Sequence, residues 1–168
     1  RDDAIIWRGS LKIGVIRQFI QDVEWGELDY LVIDAPPGTG DEPLTLAQLV
    51  PGAHTLVVTT PQKVATADVR KSINFCRKVD LDILGVVENM SGLTCPDCKK
   101  LIEIYPGGQA AEMCEEMKVP LLARLPINPE LAQASDDGVV YKYIFDHQNP
   151  GDPFNAVLDV VLALDDEK

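Results

Sequence analysis

Cys95 and Cys98 stand in the run TCPDC, two thiols separated by two residues in a stretch rich in turn formers. At that spacing both thiolates can turn toward one ion, an arrangement that serves metal and redox chemistry. One pair supplies two sulfurs, whereas a tetrahedral zinc or a cubane iron–sulfur cluster takes four. Cys76 and Cys114 do not complete the set. Cys76 shares a helical stripe with Val69 and Ile73, and Cys114 lies beside Met113 and near Met117, so both read as small buried hydrophobes. Two copies of CPDC at a twofold axis would bring four sulfurs together. Zinc fits four thiolates as well as a cluster does and resists oxygen, so both metals stay open. Dithiol redox chemistry needs a helix starting at the first cysteine. Here Pro106-Gly107 follows too closely to leave much room for one.

The second chemical feature is the run DYLVIDAPPGTGD over residues 29–41. Asp34 is the first polar residue after the apolar residues 31–33, a β-branched run of the kind that forms a strand covered on both faces. In doubly wound sheets ligands sit beyond the carboxyl ends of strands. A carboxylate there can hold Mg²⁺ directly or through water. Pro36-Pro37 stiffens the exit, and Gly38 and Gly40 let backbone N–H groups approach an anion. An ordinary strand-to-helix turn with a capping Asp explains a short piece of this run equally well; the whole string is more specific.

The elements that must position these groups follow from periodicity. Ser10 can cap a helix carrying Ile13, Ile16, Ile20 and Val23, ended by Trp25-Gly26. Residues 41–50 read as a short helix and 55–59 as a buried strand. Residues 65–79 place Val69, Ile73, Cys76 and Val79 on one helical face. A strand at 83–87, an irregular segment at 91–106, a helix at 109–117, a strand at 120–125 and a short helix at 129–134 follow. Phe154, Val157, Leu158, Val161 and Leu164 mark a closing amphipathic helix. Strands alternating with helices imply an α/β fold, a parallel sheet flanked by helices. Without a repeat or linker, residues 1–168 are expected to form one domain.

Composition narrows the function classes. A net charge of −12 argues against a nucleic-acid or anionic-membrane surface, which Lys/Arg clusters would serve. No apolar run reaches the roughly 20 residues of a membrane span, and the first residues lack signal-peptide anatomy, so a cytoplasmic location is expected. His54 and His147 are the only histidines, and no Ser-His-Asp constellation accompanies them. Trp7, Trp25, Tyr141 and Tyr143 read as packing residues, Lys63 and Arg70 as a solvated helix face, and Asp136-Asp137-Gly138 as a helix end.

WRG at 7–9, the stretch QFIQDVEWGELDYLVIDAPPGTGDEPLTLAQ, VVTTPQ, GVVENMSGLTCPDC, PGGQA and RLPINPELAQASDDG occur in order along the chain. Together they resemble the Mrp/ApbC branch of the MinD/ParA-like deviant Walker A P-loop ATPases, which includes cytosolic iron–sulfur assembly scaffolds. The resemblance implies a P-loop NTPase fold and a dimer with slow ATPase activity. It also implies a [4Fe-4S] cluster carried between subunits by Cys95 and Cys98 and delivered to apo iron–sulfur proteins. By matching position it makes Asp34 the Walker B-like magnesium residue and Gly38 to Asp41 the switch that senses the γ-phosphate of ATP. Asn89 would read the adenine edge, with Pro126 and Ile127 packing near the base. An Asn amide suits adenine because it offers both a donor and an acceptor. The lysine- and glycine-rich phosphate loop of the family is absent from the sequence. The chain is therefore expected to be the C-terminal portion of such a domain, inactive alone as an ATPase. The alternative function is a dimeric zinc or iron–sulfur module that works without ATP.

Overall fold

The computed structural model describes residues 9–95, 97–98, 100–105, 107–147 and 151–165. Trp7 and most of the WRG motif lie outside them. Helix α1 (Gly9–Gln21) half-buries the stripe Ile13, Ile16 and Ile20 against α2 (Asp41–Leu49), and Lys12 Nζ reaches Glu42 Oε1 at 3.1 Å. Ser10 lies inside α1 and does not cap it. Strand β1 (His54–Thr59) leads through α3 (Lys63–Lys78) to the long strand β2 (Asp82–Thr94). After β3 (Leu101–Ile102) come α4 (Gln109–Met117), β4 (Leu121–Ile127), α5 (Pro129–Asp136), α6 (Val140–Asp146) and α7 (Pro153–Leu162), closed by a 3₁₀ turn at Ala163–Asp165.

β2 is the central strand. It pairs in parallel with β1 on one side and β4 on the other, while β3 folds back antiparallel onto its far end. α3 and α4 cover one face through a core of Val57, Ile73, Val86, Met113 and Cys114. Alternation along the strands puts Val87 and Ala123 on the opposite face, where α7 packs against β2 and β4. Cys76 is 5 % and Cys114 4 % exposed, so both are the buried apolar residues their helical spacing indicated. No helix among the described residues is long and apolar enough to cross a membrane.

Three expectations change. Residues 31–33 form no strand, and Val32 is 89 % exposed. A strand persists only where its backbone N–H and C=O groups find a ladder, and among the described residues none pairs with this segment. It is tethered instead through Tyr30, whose hydroxyl donates to Asp165. Second, the segment expected to be irregular from residue 91 continues β2 to Thr94 and turns into a hairpin. Gly92 permits this: a Cβ there would lie 3.0 Å from Ile102 O. Third, Tyr141 does not pack, being 75 % exposed on α6, a helix the periodicity did not reveal.

Candidate functional site

The carboxyl ends of β2 and β4 bring three of the expected base-side residues together. In the parallel register Asn89 lies opposite Leu125 and Leu93 opposite Ile127, so Asn89 neighbours the Leu125-Pro126-Ile127 end of β4. Asn89 Oδ1 accepts a hydrogen bond from Met90 N at 2.9 Å, which uses one acceptor lone pair and leaves the amide nitrogen out of that bond. Met90 itself takes a left-handed backbone (φ 55°), and the β2–β4 register shifts between Asn89 and Leu93. The strand is thus redirected just beyond Asn89, toward the hairpin that carries the cysteines.

Asp34 and Gly38 are placed differently from the sequence expectation. With residues 31–33 outside the sheet, Asp34 is an exposed residue of a loop and not the last residue of a strand. Gly38 has φ 102°, open to glycine at no cost, and nothing crowds the space a Cβ would fill. Gly40 is the extended residue before α2, whose start has no side-chain cap. Asp41 and Glu42 open α2, and Thr45 Oγ1 donates back to Asp41 O at 2.6 Å. Hydrogen bonds from its own backbone N–H and from Lys12 hold the Glu42 carboxyl below its usual range. The loop therefore runs directly into two carboxylates at the start of α2.

Cys95 and Cys98 lie at the tip of the β2–β3 hairpin. Cys95 is half-buried, and its N–H donates to Lys100 O at 2.9 Å, closing the loop. Cys98 is exposed in the turn. A strand, not a helix, follows at Leu101–Ile102, so the N-terminal helix of a dithiol oxidoreductase is not built here. Among the described residues no group of three or more His, Cys, Asp and Glu side chains converges as a metal cage. Cys76 and Cys114 are poor ligands in their own right. Burial pushes both thiols up from their ordinary value, and the Glu88 carboxylate pushes Cys114 further.

Glu88 was not singled out in the sequence, although an acid inside an apolar strand was a visible signal. It is 4 % exposed, directly opposite Thr59 on β1 and Arg124 on β4. Arg124 Nε lies 3.5 Å from Oε1, and Oε2 is buried without a hydrogen-bond partner. Burial, offset in part by Arg124, raises the carboxyl above the usual carboxylate range. A raised acid favours folding below its ordinary value, near pH 4.3, and loses that contribution as pH rises through the folded-state value. Glu88→Gln is accordingly expected to raise the urea midpoint near pH 7. The gain should shrink toward zero below about pH 4.3. Urea denaturation of both proteins across that range checks the sign and the window.

An open cleft of about 630 Å³ between α3 and α4 is lined by Lys63, Thr66, Arg70, Glu112 and Glu116, and holds none of the candidate residues. Arg70 there pairs with Glu116, so it is not merely a solvated charge. His54 Nδ1 meets Asp82 Oδ2 at 3.0 Å across the starts of β1 and β2, a structural role.

A mainly parallel sheet with helices on both faces, its central strand paired in parallel on both sides, defines an α/β protein of the class whose ligands sit beyond the carboxyl ends of the strands. The comparisons agree. Over residues 1–162 the sequence matches the ParA model described as NUBPL iron-transfer P-loop NTPase, and the chain belongs to that family. It is 52 % identical over 145 residues to a cytosolic Fe-S cluster assembly factor Nubp1 homolog of Drosophila pseudoobscura pseudoobscura, covering 82 % of this chain and 47 % of that protein. The chain thus spans about half the length of this curated relative. Among solved structures it resembles an Archaeoglobus fulgidus nucleotide-binding protein in complex with ADP, with cobalt (TM-score 0.71, 41 % identity, 79 % of this chain and 55 % of that one). It also resembles the cell division ATPase MinD of Pyrococcus furiosus (TM-score 0.62, 25 % identity, 96 % and 63 %).

Proposed function

We propose that the protein is a nucleotide-dependent iron–sulfur cluster carrier of the cytoplasm, in which the cluster is cargo. Two CPDC pairs, one from each subunit of a homodimer or from a related subunit, bridge a [4Fe-4S] cluster and release it to apo iron–sulfur proteins. The observation that carries this reading is the placement of Cys95 and Cys98 at an exposed hairpin tip, two sulfurs per chain, on the continuation of the strand that holds Asn89. Six residues at about 3.3 Å each set an upper limit of roughly 20 Å between Asn89 and Cys95, shortened by the irregularity at Met90. The nucleotide and cluster sites are then separate but joined by one strand.

On the nucleotide side Asn89 reads the adenine edge while Pro126 and Ile127 pack on the base. Asp34 would hold Mg²⁺, directly or through water, and Gly38 to Asp41 would respond to the γ-phosphate. The acidic first turn of α2 would repel a bare phosphate, which favours contact through a bound cation. Magnesium, when bound, supplies charge neutralisation for the phosphates; the residues here position it. The family's identity and the ADP held by the Archaeoglobus fulgidus relative support this side of the reading.

The test is anaerobic reconstitution of the full-length protein with iron and sulfide. About one cluster per dimer is expected, with loss of essentially all bound iron in Cys95→Ser and in Cys98→Ser and none in Cys76→Ser, read by absorbance and metal analysis. Iron retained in both CPDC variants would sink the proposal. Zinc alone bound at the same two cysteines, with no effect of ATP on its release, would favour the metal module that works without nucleotide.

A further inference from the structure

We propose that Tyr143 is a positioning residue for the base-side wall of the nucleotide site, acting through Asn128. This rests on the reading that Asn89, Pro126 and Ile127 receive the base. Asn128 follows Ile127 directly and is the extended residue before α5 (φ −126°, ψ 104°). Its Oδ1 accepts from Glu130 N at 3.0 Å and Leu131 N at 3.1 Å, capping the helix that Pro129 begins. Its Nδ2 donates to Tyr143 Oη at 3.0 Å. Ser or Asp could cap the helix equally well, but neither has an amide donor to spare. The choice of Asn is therefore accounted for by the bond to Tyr143, not by the cap.

Tyr143 is itself held in place. Its ring stacks on His147 with centroids 4.2 Å apart and planes 20° from parallel. Its carbonyl lies 2.8 Å from His147 Nδ1, and Glu130 Oε2 is 3.5 Å from its hydroxyl. Gly138 (φ 71°) turns the chain, and Val139 N donates to Ala134 O at 2.8 Å, so α6 folds back along α5. α6 buries no residue of its own. Tyr143 and Ile144 are half-buried, and among the polar contacts of α6 the Asn128–Tyr143 bond meets the chain one residue beyond Ile127. Removing that hydroxyl leaves Asn128 held by its two cap bonds alone and unties α6 from the residue that follows the Pro126-Ile127 end of β4.

The experiment measures ADP and pyrophosphate binding to the full-length protein by calorimetry, for Tyr143→Phe, Asn128→Ser and the double variant. Phe keeps the ring stack and Ser keeps the cap. Each single variant should weaken ADP roughly three- to tenfold, the worth of one net hydrogen bond. Pyrophosphate, which has no base, should bind unchanged, and the double variant should be no weaker than the singles. Unchanged ADP affinity in Tyr143→Phe, with Asn89→Ala weakening ADP, overturns the role of Tyr143 and leaves the base reading intact. Equal losses for ADP and pyrophosphate also overturn it, because the effect is then general. If Asn89→Ala leaves ADP affinity unchanged, the base reading itself fails and takes this proposal with it.

Discussion

Gly85→Ala is expected to destabilise the protein by about 3 kcal/mol, the sum of a strained backbone and a forced overpacking. Gly85 has φ 156°, and a Cβ built on it would stand 2.6 Å from Leu122 Cγ and 2.9 Å from Pro120 O. Leucine can move, but the carbonyl cannot: it accepts the Val86 N–H at 2.8 Å. The position is a bulge on both sides of β2. Ile83 and Gly85 face consecutive residues Thr55 and Leu56 of β1, and Leu122 of β4 is skipped between Val86 and Val87. Relief would come from sliding β4 along β2, which would carry Pro126 and Ile127 away from Asn89. Two readouts follow: a lower urea midpoint with unchanged slope, and weaker ADP binding even under conditions where the variant is fully folded. A variant as stable as wild type would show that the bulge yields without cost.

The sequence was most legible where one face of an element is buried. α3 and α4 appear within two residues of their expected limits because Ile73, Cys76, Met113 and Cys114 recur at helical spacing and face the core. β1, β2 and β4 were likewise visible as apolar runs. The apolar run at residues 31–33 carried the same signal, yet a run of that kind shows only that a strand would be tolerated; a ladder partner must also be present. α6, with the sequence VYKYIFD, escaped because its β-branched and aromatic residues favour strand and it has no capping side chain. The cysteine pair was legible as chemistry from its spacing alone. Its position at a hairpin tip was not, since β3 is only two residues long. The Asn128–Tyr143 bond joins residues 15 apart across a turn, and no local pattern encodes it.

Ile73→Ala should cost about 3–4 kcal/mol, and it separates stability from site geometry. Ile73 is fully buried on α3, within the cluster that joins Val57 of β1, Val86 of β2 and Met113 and Cys114 of α4. Truncation removes three carbons from a place where four elements meet, so the neighbours can close the space only in part. Ile73→Val, one carbon smaller, should cost about 1 kcal/mol, and the ratio of the two distinguishes a cavity effect from a lost helix propensity. Alanine is the better helix former, so propensity alone would make Ile73→Ala stabilising. The cluster lies on the α3–α4 face, whereas Asn89 alternates onto the same face as Val87. The folded fraction of Ile73→Ala should therefore bind ADP with wild-type affinity, in contrast to Gly85→Ala. Equal loss of ADP affinity in both variants would mean that the nucleotide edge depends on the whole sheet–helix packing and not on the β2–β4 register.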